Sequence, residues 1–446
     1  MLDRIRNERL KKLERLRREG IDPFPSTVKK HLNIGGALKD FIALSKEKRS
    51  VYLVGRIRSL RDQGKILFID IDDGTGSIQV FADKKELKNF EMWKETLDMG
   101  DFIGAKGTLF KTKRGEKSIK PKSVDMLAKT LRPLPDSWYG LKDVEERFRK
   151  RYLDLILNEE AKETFILRSN LVKQIREFLW EESFMEVETP MLQPIPGGAL
   201  ARPFKTRHNA LKQDFYLRIA PELYLKRLLV GGMNKIYEIG RVFRNEGMDR
   251  EHNPEFTMLE LYWAYQDYEG LIKFTEKMLK PFVKEKWQRI SYRDAFKKYG
   301  KIDLDKVKNK EEIDDVFKRK VRPHLKKPTI VYDLPKAISP LSKSKASEPE
   351  LTERFQFILE GTEIVNGFSE LNDPIDQRER MEYQEKLFRK GNEEASRLDK
   401  DFIEALEYGM PPAAGLGMGI DRLVALITKR ESLKETILFP TLKNKE

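Results

Sequence analysis

From Phe256 to Trp263 the chain reads FTMLELYW, a run that is apolar, aromatic or β-branched at every position except Glu260. Such a run, after a polar loop opened by Arg244, predicts a strand. Period-two alternation places Phe256, Met258, Glu260 and Tyr262 on one face and Thr257, Leu259, Leu261 and Trp263 on the other. An unpaired carboxylate buried in that strand is very costly, so Glu260 must meet a cation or a strong donor. A structural ion pair and a cationic ligand both satisfy that demand, and the strand alone does not choose between them.

The rest of the chain narrows the setting. Its 446 residues suffice for two or three domains, and the formal charge of +14 suggests a polyanionic partner such as RNA or DNA. Cysteine is absent, which excludes disulfides, thiolate zinc sites and a cysteine nucleophile. The four histidines, His31, His208, His252 and His324, lack metal-ligand spacing. No segment reaches the length of a membrane span and the N-terminus has no apolar signal core, so a cytoplasmic protein is expected, with no membrane partner.

Residues 2–19 predict a basic amphipathic helix with Leu2, Ile5, Leu13 and Leu16 as its apolar positions, stopped by Gly20 and Pro23. It reads equally as a solvated helix and as a cationic arm along phosphates. Five short strands then follow within 51–127, with DDGTG at 72–76 as a hairpin turn, and five strands after a basic helix suggest an OB-fold. If the aliphatic positions of the second and third strands form the core, Phe68 and Gln79 project outward, an aromatic beside an amide suited to single-stranded RNA.

A proline-containing connector (131–154) leads to helical periodicity over 164–183 and a strand at MEVETPML (185–192). Beyond it helices and strands mix without βαβ alternation, which predicts an α+β domain on an antiparallel sheet. The charged stretch 271–325 reads as a solvated helical insertion without chemistry. Expected boundaries are therefore 1–50 for the basic helix and lead-in, 51–130 for the barrel, 131–163 for the connector and 164–446 for the large domain.

Three separated stretches carry a family resemblance: EFLWEESFMEVETPML (177–192), the Arg244–Tyr262 hairpin with FRNEG and HNPEFT, and GLGMGIDR (415–422). In order, they resemble the three motifs of the class II aminoacyl-tRNA synthetases. APELYLKRL (220–228) and EIVNGFSELNDP (363–374) resemble the lysyl-tRNA synthetase branch. GLGMGIDR is not a GxGxxG fingerprint, and the chain has no GxxxxGK[ST] loop.

The resemblance implies a lysine–tRNA ligase with an antiparallel-sheet catalytic domain preceded by an OB-fold β-barrel. ATP, L-lysine and lysine tRNA would be its substrates, and the first motif would form a homodimer interface. Activation is an in-line attack of the amino-acid carboxylate on the α-phosphate, so alignment and neutralisation of phosphate charge dominate. By resemblance, Arg244 bridges carboxylate and α-phosphate, Arg422 meets the γ-phosphate, Phe256 stacks under adenine, and Glu246 and His252 are further ATP contacts. Arg422 reads alternatively as a helix-end ion pair with Asp421, and His252 as a surface histidine.

Lysine recognition would use Glu260 and Glu370 at the ε-ammonium with Tyr262 beside them, Phe368 along the stem, Glu222 at the α-ammonium, Gly198 nearby and Asn366 at the carboxylate. Arg61, Phe68, Gln79 and Glu116 match the family's anticodon contacts. Magnesium is implied with ATP, with Glu363 as a ligand. Its usual partner seven residues earlier is Gln356 here, and Glu251 stands where many bacterial members carry Arg, so that either Arg250 supplies that charge or the triphosphate tail is held more weakly. A protein-lysylating enzyme and a non-catalytic RNA-binding relative are the competing readings. The first generally lacks the N-terminal module, and loss of Arg244, Arg422 or Glu260 would favour the second.

Overall fold

The computed structural model describes residues 2–135, 141, 143–304, 307 and 313–445. Parts of the predicted connector (136–140 and 142) and of the charged run KVKNKEEIDDVFKRK lie outside them. The chain divides into two compact units, Met1–Gly140 and Leu141–Glu446.

In the first unit the basic helix spans Leu2–Arg18, with Leu13 and Leu16 buried and Leu2 exposed. The strands are β1 (Ser50–Asp62), β2 (Ile66–Asp72), β3 (Ser77–Asp83), β4 (Phe102–Lys111) and β5 (Lys117–Ala128). They pair in the order β1-β2-β3-β5-β4, and β4 returns to β1 to close the ring. The β2–β3 turn is held by Asp73, which accepts from the Thr75 and Gly76 amides, while Gly74 takes a φ of 84° that suits glycine. Leu67, Ile69, Ile71, Ile78 and Val80 face the barrel core as the alternation predicts. Arg9 is also buried, donating to Thr130, Arg132 and Met99, a fixture that the helix's charge pattern conceals.

The second unit adds β6 (Met185–Glu186), β7 (Leu192–Gln193), β8 (Lys205–His208), β9 (Gln213–Leu217), β10 (Lys235–Phe243), β11 (Glu255–Ala264), β12 (Gln288–Ser291), β13 (Thr329–Pro335), β14 (Leu351–Leu359), β15 (Thr362–Ser369) and β16 (Ala413–Gly419). Its main sheet runs β12-β13-β14-β15-β16-β11-β10-β6, antiparallel apart from the β12–β13 and β10–β6 pairs. One face packs Leu259, Leu261, Leu416, Met418, Val365 and Phe357 against helices Glu159–Glu181, Tyr268–Leu279 and Ile420–Ile427. Full burial of each such side chain stabilises the fold by about 1.5–3 kcal/mol. Alternation turns the neighbouring residues to the other face, where the functional candidates gather.

Two expectations need correction. The strand expected over 185–192 is split: β6 joins β10 and β7 joins β9. Pro190, which lacks an N–H, lies in the gap, and Thr189 there donates to Glu238 instead of a ladder. Nor do the described residues of 271–325 form a solvated insertion. Leu271, Ile272, Phe274, Met278 and Leu279 are buried in the main core, β12 edges the sheet, and Tyr292, Phe296 and Phe317 form a stacked aromatic core of their own. The charges occupy one side of these helices and hid the apolar side.

Candidate active site

Strand register assembles the site in two rungs. Glu238, Glu260, Gly417, Asn366 and Gln356 lie side by side across β10, β11, β16, β15 and β14. The next rung runs Ile236, Tyr262, Gly415, Phe368 and Arg354. Alternate glycines of GLGMG thus fall on the functional face while Leu416 and Met418 fill the core. They are needed there: a Cβ on Gly415 would run into Glu370 Oε1 and the Tyr262 ring, and one on Gly417 into Met258. Gly198 has a φ of 86°, and a Cβ there would sit 2.9 Å from that of Glu222, so its smallness sets how closely that loop approaches the acid.

Glu222, Glu260 and Glu370 are all buried on this face. Glu260 accepts from the Tyr262 hydroxyl at 3.0 Å, and among the described residues it has no ion-pair partner, so the strong donor rather than a protein cation meets the demand of its burial. Burial, and then the negative charge of Glu222, push its carboxyl above the ordinary range. Burial pushes Glu370 up as well. The missed residue is Lys226. Fully buried, it lies 2.6 Å from Glu222 and 2.5 Å from Glu370, with Nζ 5.4 Å from the centre of the Phe368 ring. Desolvation works against its charge, but the two carboxylates outweigh it and hold the ammonium above its usual range. The i,i+4 spacing of Glu222 and Lys226 within ELYLKRL was the available signal.

Arg244 stands at the mouth of the loop between β10 and β11, with its guanidinium 5.2 Å from the centre of the Phe256 ring. Its Nε is buried without a partner. Arg422 begins the helix after β16 and donates to the Glu363 carbonyl at 3.2 Å. The expected alternative pairing with Asp421 does not form: Asp421 takes Arg168 at 2.5 Å and the Thr257 amide at 2.6 Å, leaving Arg422 to the open face. His252 is exposed but engaged, with Asp249 2.9 Å from Nδ1 and Arg422 3.4 Å from Nε2. Neither arginine has a carboxylate ion pair among the described residues, so both are available to an anion. Glu246 is half-buried and close enough to Arg244 to act on its charge. Glu251 pairs with Arg322 at 3.2 Å, tying the loop to the segment after the aromatic core, whereas the Arg250 side chain is exposed.

Asn366 accepts from Arg354 at 2.9 Å, which fixes its amide. Gln356, on the same rung, donates to Glu363 at 2.6 Å, while its Oε1 is buried without a partner. One carboxylate and one amide oxygen form a hard, weakly charged donor set. That set fits a magnesium ion carried mainly by phosphates and water, with the amide turned to present its oxygen.

On the barrel, Phe68 is half-buried on the outer face, with Arg61 opposite it across β1–β2. It is not a solitary aromatic: Phe68, Phe81 and Phe110 make successive edge-to-face contacts at 5.3 and 5.5 Å. Gln79 departs from the expected projection. It is only 8% exposed, because Ser118 of β5 covers it and donates to its Oε1 at 3.2 Å. Glu116 is exposed in the β4–β5 turn and its carbonyl lies 3.4 Å from the same Ser118 hydroxyl.

Residues 143–443 match the family model of class II tRNA synthetases (D, K and N), and residues 51–127 match that of the OB-fold nucleic acid binding domain. The chain belongs to the class II tRNA synthetases. Within that class it is similar to proteins named lysine–tRNA ligase. It is 46% identical to one from Dehalococcoides mccartyi (strain 195), over 98% of this chain and 97% of the relative. It is 47% identical to that of Carboxydothermus hydrogenoformans (100% and 99%) and 44% to that of Bacillus cytotoxicus (98% and 97%).

Proposed function

We propose that this chain joins lysine to lysine tRNA, first activating lysine with ATP to lysyl-adenylate and then transferring the lysyl group to the 3′ end of the tRNA. The observation that carries this reading is the buried acidic pocket of Glu222, Glu260 and Glu370 beside a loop that holds Arg244. A dry pocket with surplus carboxylates selects ammonium groups and rejects a side-chain carboxylate. Lys226 does not reverse that preference, since both faces of its ammonium are already taken by carboxylates.

In this reading Glu222 takes the α-ammonium, Glu260 and Glu370 take the ε-ammonium with Tyr262, and Phe368 lines the aliphatic stem beside Gly198. Asn366 and Arg244 hold the carboxylate. Arg244 also grips the α-phosphate, so nucleophile and electrophile share one guanidinium and meet in line. Phe256 stacks on adenine, Glu246 contacts the nucleotide, and Arg422, steadied by His252, neutralises the γ-phosphate. Magnesium held by Glu363 and the Gln356 oxygen would neutralise charge on the departing pyrophosphate. Arg61, Phe68 and Glu116 read the anticodon from the barrel, whereas Gln79 would join them only once its bond to Ser118 opens.

The working unit in this reading is a cytoplasmic homodimer. Trp180, 77% exposed on the long first-motif helix, with Ile166, Met185, Met191 and Leu192, leaves apolar surface for a second copy. Charging of lysine tRNA with labelled lysine tests the assignment. Stable lysyl-tRNA is the expected product, and adenylate formation without tRNA charging would contradict it.

A further inference from the structure

Three acids converge on the pocket from separate elements: Glu222 from helix Glu222–Val230, Glu260 from β11 and Glu370 just after β15. Against them stands one buried ammonium, Lys226. Lys226, 2.5 Å away, is the one charged partner of Glu370 among the described residues, and no other group there donates to its carboxylate. A buried carboxylate in that position is held only by its ion pair, and removal of the partner leaves it uncompensated. With all three acids ionised, as an ammonium ligand favours, three negative charges and one positive leave a deficit of two. Free lysine brings two ammonium groups, and its carboxylate is matched separately by Arg244.

We propose that Lys226 is a specificity-determining positioning residue: standing between Glu222 and Glu370, it holds the two carboxylates apart and leaves the pocket two positive charges short, the number that a diammonium amino acid supplies. Lys226 touches no substrate atom in this account and acts through the two acids. Its place four residues after Glu222 on one helix and against the Phe368 ring fixes that geometry. The inference rests on reading the pocket as the lysine site.

Without the ammonium, Glu222 and Glu370 are left as two buried acids near enough to act on each other, with Glu260 and the Tyr262 hydroxyl close by, and with Arg244 and Glu238 acting in turn on Glu260. Carboxyl groups so crowded share a proton, and a protonated acid no longer recognises an ammonium. Lysine recognition then returns as pH rises and the proton leaves.

The experiment compares wild type, Lys226→Met and Lys226→Gln by lysine-dependent ATP–pyrophosphate exchange at pH 7 and pH 9. Lysine-induced rise in melting temperature is measured on the same preparations. At pH 7 both variants should show a lysine KM about tenfold or more above wild type, the scale of losing one partner of a buried charge pair. That ratio should shrink several-fold at pH 9, with the ATP KM unchanged. A lysine KM within about twofold of wild type at both pH values, or a loss equal at both, would contradict the proposal. Glu260→Gln serves as the control. If it abolishes lysine dependence while Lys226→Met behaves as wild type, this proposal alone fails. If Glu260→Gln keeps wild-type lysine dependence, the pocket assignment fails and the proposal with it.

Discussion

Tyr262 donates its hydroxyl to Glu260 at 3.0 Å, and the two residues are neighbours on one face of the same strand. The tyrosine satisfies one carboxylate oxygen, and no cation pairs with the group among the described residues, an arrangement that suits a positive ligand.

Replacing Glu260 by Gln should therefore remove lysine activation while sparing ATP. Loss of one partner from a desolvated charge pair costs about 2–5 kcal/mol, roughly thirtyfold to several thousandfold in kcat/KM at 1.4 kcal/mol per decade. Exchange kinetics over a range of lysine concentrations measure this. Near-normal lysine dependence would make Glu260 a structural residue.

The same substitution should have a pH-dependent effect on stability without lysine. Burial and Glu222 raise the Glu260 carboxyl in the folded state, so above the ordinary carboxylate range the native protein binds more protons than the unfolded chain. This contribution to stability therefore falls as pH rises through that window. Glu260→Gln removes the effect, and its melting temperature should gain on wild type from pH 5 to pH 8. A constant difference across that range would argue against a strained acid.

Much of this site was legible in the chain because strands have a period of two. FTMLELYW fixes which residues share a face with Glu260, and GLGMG fixes where side chains are absent. Lys226 was not legible in that way: its helix is mostly apolar, and whether an i,i+4 Glu–Lys pair is buried depends on the strands that cover it. Gln79 escaped for a similar reason, since alternation gives its face but not the Ser118 hydroxyl that covers it. The helix Tyr268–Leu279 was hidden by exposed charges interleaved with its buried apolar residues.

At Gln356 the side-chain amide now donates to Glu363. Gln356→Glu should put two carboxylates together there and strengthen coordination of a hard cation. The midpoint of magnesium dependence in exchange should move to lower concentration, and melting should become more sensitive to magnesium. An unchanged midpoint with unchanged melting would separate this side chain from the metal.

On the barrel, Phe68→Ala should impair tRNA charging and leave exchange nearly untouched. A lost base-stacking aromatic costs about 1–3 kcal/mol per base. Because Phe68 also packs edge-on against Phe81, melting of the variant must be followed alongside. Normal melting with normal charging would overturn the anticodon assignment.

The central claim is that the buried acidic pocket selects lysine for activation by ATP. ATP–pyrophosphate exchange by the purified full-length chain, run against lysine, arginine, ornithine, aspartate, asparagine and the other standard amino acids, tests it most directly. The account predicts strong exchange with lysine and little with aspartate or asparagine. Exchange driven by another amino acid in preference to lysine, or no exchange with any, would contradict it.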